Sequence, residues 1–307
     1  MKNQPVLRDV SEQYHLSMSS EYILEDMLET VEEHPAWQII DKFECGFSAS
    51  DRIIGGMNAA LGQFPWITRL GYHTNGEKEP GWLCGGALIT DRYVLTAAHC
   101  VQSIADETEL SSIRVGEYDT MTNPDCQVHI CAPPVQDRKI KKVIIHPSYD
   151  KPPFTNDLAI ILLDKPVEMN DYVIPICLPR YHQVCNADLG DYVTVAGWGK
   201  TNMTTEAKAR ILQYVSMPVA RPETCNFFGK GLKLAESQIC AGGQRNKDAC
   251  VGDSGGPLMK VFDTLDGPKS FLMGIVSFGP TICGIKKPGV YTSIPHFLKW
   301  ILNNIIS

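Results

Sequence analysis

The sequence predicts an all-β fold, a barrel or sandwich closed by one terminal helix, and three observations predict it. From Ile53 onward, short apolar runs such as "WITRLGY", "GALIT", "YVLTA", "KVIIHP", "AIILL", "DYVTVAGWG" and "FLMGIVSFG" follow one another. Gly, Pro, Asn and Asp separate these runs, so each reads as a strand bounded by turns. Only the last segment, "SIPHFLKWILNNII", changes period, placing Ile294, Phe297, Leu298, Ile301 and Ile305 on one helical face. Ser293 stands as its N-cap and Pro295 in its first turn. With 307 residues and 44% hydrophobic content the chain can build one large or two small cores, and no repeat at a solenoid period is visible.

Ahead of this body lies a segment of different texture. Residues 1–52 hold 4 Lys/Arg against 11 Asp/Glu, which accounts for the whole net charge of −7 and leaves 24 against 24 in residues 53–307. Ile23, Leu24, Met27, Leu28 and Val31 fall at helical spacing after a Ser20 cap, before "HP" ends the pattern, and predict a short amphipathic helix in a largely flexible acidic leader. A neutral body offers no basic surplus to track a phosphate backbone, so a nucleic-acid partner is not expected.

Eleven cysteines, ten of them after Arg52, lack the paired spacing of a zinc ribbon and fit disulfides in an oxidising compartment. The tripeptide "NMT" makes Asn202 a glycosylation sequon and points the same way. The first thirty residues contain no apolar stretch of secretory-signal length, so either the sequence is N-terminally incomplete or export is unconventional. The longest aliphatic run, "LAIILL", is far short of the roughly 20 residues that span a bilayer, and no membrane anchor is expected.

Three separated segments carry chemistry: "LTAAHC" around His99, "TNDLAIILL" around Asp157 and "CVGDSGGPL" around Ser254. Acyl transfer needs a hydroxyl nucleophile, a base near neutral pKa and a buried carboxylate that fixes the tautomer of the base. Glycines around Ser254 permit a tight backbone whose N–H groups can point at a developing oxyanion.

In this order and spacing, "TAAHC", "DLAI" and "GDSGGPL" resemble the chymotrypsin/trypsin family of serine endopeptidases, from Ile53 to the end of the chain. The resemblance implies two packed six-stranded antiparallel β-barrels in residues 53–307, with the site in the cleft between them. It assigns His99 as general base, Asp157 as its orienting carboxylate, Ser254 as nucleophile, and the N–H groups of Gly252 and Ser254 as the oxyanion hole. Asp248 stands at the floor of the family's specificity pocket, with Ser277, Gly279 and Gly289 along its walls, which implies cleavage after Arg or Lys. Two positions depart from the family's habit: Phe278 where Trp is common, and Val251 where a longer polar residue is frequent. Both touch the cleft and leave extended-substrate preference open.

The same resemblance pairs Cys84 with Cys100, Cys225 with Cys240, Cys250 with Cys283, Cys45 with Cys177 and Cys126 with Cys131. Cys185 is left without a partner, which suggests a missing upstream cysteine, an intermolecular bond or a free thiol. "GEYDTMTNPDC" with the Cys126/Cys131 pair further resembles arthropod clip-domain proteases, although residues 1–44 contain no cysteine for a clip module. Glu117 and Asp119 lie where some family members hold Ca²⁺, so calcium is a candidate ligand, while no cofactor is required. Pro288 does not match the tyrosine of the family's sodium-binding branch.

These features imply a secreted, monomeric zymogen with a limited role, whose partners are downstream zymogens as substrates, an upstream activating protease and a serpin-type inhibitor. The rival from another class is a non-catalytic homologue serving as a cascade adaptor. In the stretch "DRIIGG", cutting after Arg52 would free the α-amino group of Ile53 to pair with Asp253, beside the nucleophile. An ammonium with an ordinary pKa of about 8 would be further favoured by a buried carboxylate.

Overall fold

The structure is a computed structural model describing residues 31–48, 58–74, 79–102, 108–180, 187–200, 208–228, 233–244, 252–280 and 286–305. Arg52, Ile53, Cys185, Asn202, Asp248, Cys250, Val251 and Cys283 lie outside the described residues, as do Ile23, Leu24, Met27 and Leu28 of the expected leader helix.

A four-residue helix, α1 (Trp37–Ile40), precedes the strands. The first half of the body supplies β1 (Ile67–Thr74), β2 (Gly81–Leu88), β3 (Tyr93–Thr96), β4 (Thr108–Val115), a hairpin of β5 (Cys126–Gln127) and β6 (Ile130–Cys131), β7 (Gln136–Ile145) and β8 (Ala159–Leu163). The second half supplies β9 (Tyr192–Gly197), β10 (Gln213–Pro218), β11 (Gln238–Gly242), β12 (Pro257–Thr264), β13 (Gly267–Phe278), β14 (Pro288–Ser293) and α2 (Ile294–Ile305).

Strands β1, β2, β3, β8, β7 and β4 close into a barrel, because β1 pairs with β2 on one edge and with β4 on the other. Its interior is filled by Leu70, Leu88, Leu95, Ile113, Ile160 and Leu163, all without solvent exposure. Closure leaves no edge to template further pairing. The second sheet runs β10, β9, β12, β13, β14, β11 and stays open. Among the described residues its outer strands meet just past the end of β10, through an isolated bridge from Val219 to Ala241 and the Ala220 N–H donated to the Cys240 carbonyl. Pro218, the last residue of β10, has no backbone N–H to donate. The expectation of two closed six-stranded barrels is therefore corrected to one closed barrel and one curled, open six-stranded sheet.

The C-terminal helix lays Ile294, Phe297, Leu298, Ile301, Leu302 and Ile305 into the same hydrophobic core as the closed barrel. Among the described residues no helix is long and apolar enough to cross a membrane.

Residues 31–48 pack against the body. Val31, Ala36, Trp37 and Ile40 are buried in the principal core, and the Trp37 indole donates to the Val31 carbonyl at 2.7 Å. The Arg180 guanidinium lies 4.0 Å from the Trp37 ring centroid and pairs with Asp41, while His34 bonds Asn303 of α2 at 2.9 Å. A disulfide joins Cys45 to Cys177, and next to it Gly46 links a body loop to β13: its N–H donates to the Pro175 carbonyl and its own carbonyl accepts from the Ser270 N–H. Gly46 has φ +73°, and a Cβ there would lie 2.5 Å from the Ser270 carbonyl. Trp37→Ala is expected to lower unfolding stability by about 3 kcal/mol, read by urea denaturation with the Cys45–Cys177 bond intact. An unchanged midpoint would show that this segment only rests on the surface.

Candidate active site

His99 sits in a single 3-10 turn, Ala98–Cys100, fixed from behind by the Cys84–Cys100 disulfide. The Tyr72 hydroxyl donates to the Cys100 carbonyl at 2.8 Å and pins the same turn. The imidazole remains about one third exposed and faces Asp157, which is 4% exposed. Asp157 Oδ1 accepts the His99 backbone N–H at 3.0 Å, and Oδ2 lies 2.7 Å from His99 Nδ1. A carboxylate opposite Nδ1 holds the proton there and leaves Nε2 with its lone pair free for a donor.

Two strands of the open sheet complete the surroundings of the carboxylate. Ser277, near the end of β13, donates to Asp157 Oδ2 at 2.6 Å, and Thr292, in β14, donates to the Asp157 carbonyl at 2.8 Å. Burial alone would raise the Asp157 pKa. The His99 ring, its charge, the Ser277 hydroxyl and the His99 amide outweigh burial and hold it below the ordinary carboxylate value. The Ser277 hydroxyl, expected along a substrate pocket, is thus committed to Asp157.

Ser254 is positioned through its backbone. Its carbonyl accepts the Gly85 N–H at 2.8 Å, and the following Gly255 donates to Val276 of β13 at 2.9 Å. Gly255 has φ +76°, and a Cβ would overlap Thr96 Oγ1 and the Gly85 carbonyl, so the nucleophile loop seats directly against β2 and β3. Gly252 also has positive φ, +103°. Asp253 turns the other way and accepts the Gly199 N–H at 2.8 Å; Cβ atoms on Gly197 or Gly199 would overlap its carboxylate. Gly279 and Gly289 are neighbours, a Cβ on the first reaching 4.0 Å from the second's Cα.

Disulfides also join Cys126 to Cys131 and Cys225 to Cys240. Glu117 and Asp119, considered for calcium, are held by guanidinium groups. Glu117 Oε2 lies 3.3 Å from both Arg69 and Arg114, and Arg210 grips Asp119 at 2.6 and 2.7 Å. Asp125, next to them, accepts the amides of Tyr118 and Asp119. Among the described residues the one grouping with metal-ligand geometry is Cys84, His99 and Cys100, and its two sulfurs are bonded to each other. The acids present do not make a calcium cage, and no chemistry is routed through the ion.

Several residues of the site carry no motif. Thr292 and Ser277 act through Asp157, and only their distant strand neighbours place them there. Phe154 is 56% exposed with φ +66°, an uncommon conformation for an aromatic residue, and its ring lies 5.6 Å from that of Phe278. Asp150 accepts its N–H at 2.8 Å and Gln238 donates to its carbonyl at 2.7 Å, which together hold the loop ahead of Asp157. The run "KPPFTND" marks a tight loop without revealing these partners.

A buried carboxylate orienting a histidine, in a chain whose Ser254 loop is seated against β2 next to the Cys84–Cys100 disulfide, is the architecture of a serine hydrolase of the protease type. The family model described as Trypsin matches residues 53–301, and the chain belongs to that family. It is 40% identical over 277 residues to Serine protease ea of Drosophila melanogaster, a match spanning 86% of this chain and 70% of that one. With the Spaetzle-processing enzyme of the same organism it shares 42% over 270 residues, 84% and 67% of the two chains. A crystal structure of the Drosophila Grass clip serine protease of the Toll pathway superposes with TM-score 0.77 at 34% identity, covering 91% of this chain and 78% of that one. The chain is a trypsin-fold serine protease homologous to insect clip-domain proteases.

Ser277→Ala should remove about 1.5–3 kcal/mol of unfolding stability at neutral pH, the worth of a hydrogen bond to a charged group. Because the Asp157 pKa is lowered in the folded state, that contribution is present above the ordinary carboxylate range and fades as pH falls through the lowered value. Urea unfolding of both proteins across that range should show the gap narrowing in acid; a pH-independent gap would contradict the assignment.

Proposed function

We propose that residues 53–307 form a secreted serine endopeptidase made as a zymogen, and that residues 1–52 are its activation leader. Support for secretion comes from four disulfides among the described residues, which persist in oxidising compartments. The observation that carries the catalytic reading is the His99–Asp157 pair at 2.7 Å, while the Ser254 carbonyl accepts the N–H of Gly85, next to Cys84, which is bonded to Cys100 beside that histidine.

In the proposed reaction, Ser254 Oγ attacks the scissile carbonyl while His99 Nε2 takes its proton, and Asp157 stabilises the imidazolium. The N–H groups of Gly252 and Ser254 meet the oxyanion of the tetrahedral intermediate. His99 then returns the proton to the leaving amine, and water repeats the sequence on the acyl-enzyme. Asp248 at the pocket floor selects Arg or Lys before the cut, with Gly279 and Gly289 leaving room for a long side chain. The substrates we propose are downstream zymogens, as in the relatives whose names describe cascade steps, with an upstream protease and a serpin-type inhibitor as further partners.

Activation by cleavage after Arg52 would release the Ile53 ammonium toward Asp253. The Gly199 amide already holds Asp253, whose carboxylate packs where side chains at Gly197 and Gly199 would stand.

A fluorophosphonate probe should label the cleaved protein at Ser254 and leave Ser254→Ala unlabelled, with kcat falling roughly 10⁶-fold in that variant. A folded, cleaved wild type that never labels would instead support the non-catalytic adaptor. Arg52→Gln should stay inactive after treatment with the activating protease, as measured on an arginyl ester; full activity would remove the activation mechanism.

A further inference from the structure

The outer face of β7 carries positive charge that the described residues do not answer. Lys139, Lys141 and Lys142 are exposed, and the register of β7 against β8 jumps from Ile140 to Lys142, so a bulge at Lys141 turns two successive lysines to solvent. The partly buried Arg138 beside them donates only to the Asp137 and Pro166 carbonyls and to Gln136 Oε1, all of them uncharged. Of the acids at this face, Asp137 is taken by Arg114 at 2.8 and 2.9 Å, and Asp164 accepts the Lys139 backbone N–H at 3.0 Å. Among the described residues none of the four cations forms an ion pair.

The same chain holds a segment of opposite charge. Residues 9–41 contain nine Asp/Glu and no Lys or Arg. Glu21, Glu25, Glu29 and Glu32 fall at i, i+4, i+8 and i+11, one row beside the apolar stripe of Ile23, Leu24, Met27, Leu28 and Val31. Where that stripe ends, Val31 and Glu32 are helical, Val31 is buried in the principal core, and Glu32 and Glu33 are exposed. An apolar stripe anchored in the core at its last position favours burial of the rest against the body. From this anchor, contacts lead on to β7: His34 bonds Asn303, about one helical turn from Trp300, and the Trp300 ring lies 5.0 Å from that of His146, the residue after β7. Lys142 is four residues back along the strand, roughly 13 Å at 3.3 Å per residue. The two rows also match in length, since Glu21 to Glu32 spans roughly 16 Å of helix and Arg138 to Lys142 roughly 13 Å of strand.

We infer that β7 is the docking surface for this chain's own acidic leader, whose row of glutamates lies across Arg138, Lys139, Lys141 and Lys142 with the apolar stripe turned to the body. Cys45, bonded to Cys177, stands between this row and Arg52, so the docking outlasts the proposed cut. The leader thereby occupies a cationic face that an external polyanion would otherwise take.

The test uses the full uncut chain and two triple variants, Lys139→Glu/Lys141→Glu/Lys142→Glu in the strand and Glu21→Lys/Glu25→Lys/Glu29→Lys in the leader. A protease specific for large apolar residues should nick the leader at Tyr22, Leu24 and Leu28 about tenfold faster in either variant than in wild type at low salt, the product of three exposed ion pairs. Combining all six substitutions should restore the wild-type rate, and at about 1 M salt the four rates should converge. The leader variant leaves the body unchanged, so it keeps the test decisive if the strand variant fails to fold. Carbodiimide joins a lysine amine to a carboxylate as an amide and itself takes up the water released. In wild type it should couple Glu21, Glu25 or Glu29 to Lys139, Lys141 or Lys142 within one chain, read by peptide mass spectrometry. Equal nicking of wild type and the folded variants, or leader couplings only to other lysines, overturns the proposal. So do couplings confined to species of twice the mass, which assign the strand to a second copy, and strand-dependent retention on heparin without any leader coupling, which assigns it to an external polyanion.

Discussion

A carboxylate kept charged inside a protein needs donors on every side, since removing it from water without them costs several kcal/mol. Asp157 meets that need with groups from both halves of the molecule, the His99 amide and ring from the closed barrel and the Ser277 hydroxyl from the open sheet, while Thr292 of that sheet bonds its backbone carbonyl. The seam between the sheets is therefore set by hydrogen bonds to one residue as well as by apolar packing. A shift of β13 relative to β8 would leave part of that carboxylate unanswered, and a shift of β14 would free the Asp157 backbone carbonyl. The orientation of His99 and the docking of the two sheets are one constraint seen from two directions.

Strand β13 carries this constraint across the molecule. At one end Ser270 donates to Gly46 beside the Cys45–Cys177 bond, and Phe271 bridges to Cys177. In its last third Val276 accepts the Gly255 N–H and donates to the Gly256 carbonyl, which seats the nucleophile loop. One residue later Ser277 reaches Asp157. The segment around Cys45, the Ser254 loop and Asp157 thus hang on the same twelve-residue strand. A disulfide across 132 residues of sequence ties the segment around Cys45 to the body in an oxidising compartment.

The parts of this arrangement legible in the sequence are those encoded over short distances. The motifs around His99, Asp157 and Ser254 need particular neighbours at fixed spacing, and α2 needs only a 3.6-residue period, so both can be read locally. Closure of a sheet cannot, because it depends on how two edge strands distant in sequence meet, and β10 and β11 meet only where Val219 and Ala220 follow Pro218 among the described residues. Thr292 looks like any strand threonine until β14 is laid beside Asp157. Arg69, Arg114 and Trp82 come from three strands, and no spacing predicts that two guanidiniums should share one indole. The acids of "GEYD" read as a metal loop because arginines distant in sequence, at 69 and 210, neutralise them only in the folded chain.

The same nonlocal charges bear on how a single cut could be felt at the active site. Asp253 stands between two environments: the glycine-lined space where it accepts the Gly199 amide, and a cleft whose cations are Arg69 and Lys208. A new ammonium on the glycine side would compete with those cations for one carboxylate. Because Gly252 immediately precedes Asp253 and has φ +103°, a conformation costly to any residue with a side chain, its amide direction depends on what holds the carboxylate next to it. Under the proposed activation, that competition would be passed to the backbone N–H of Gly252, and glycine stands at 197, 199 and 252, the positions packed around Asp253.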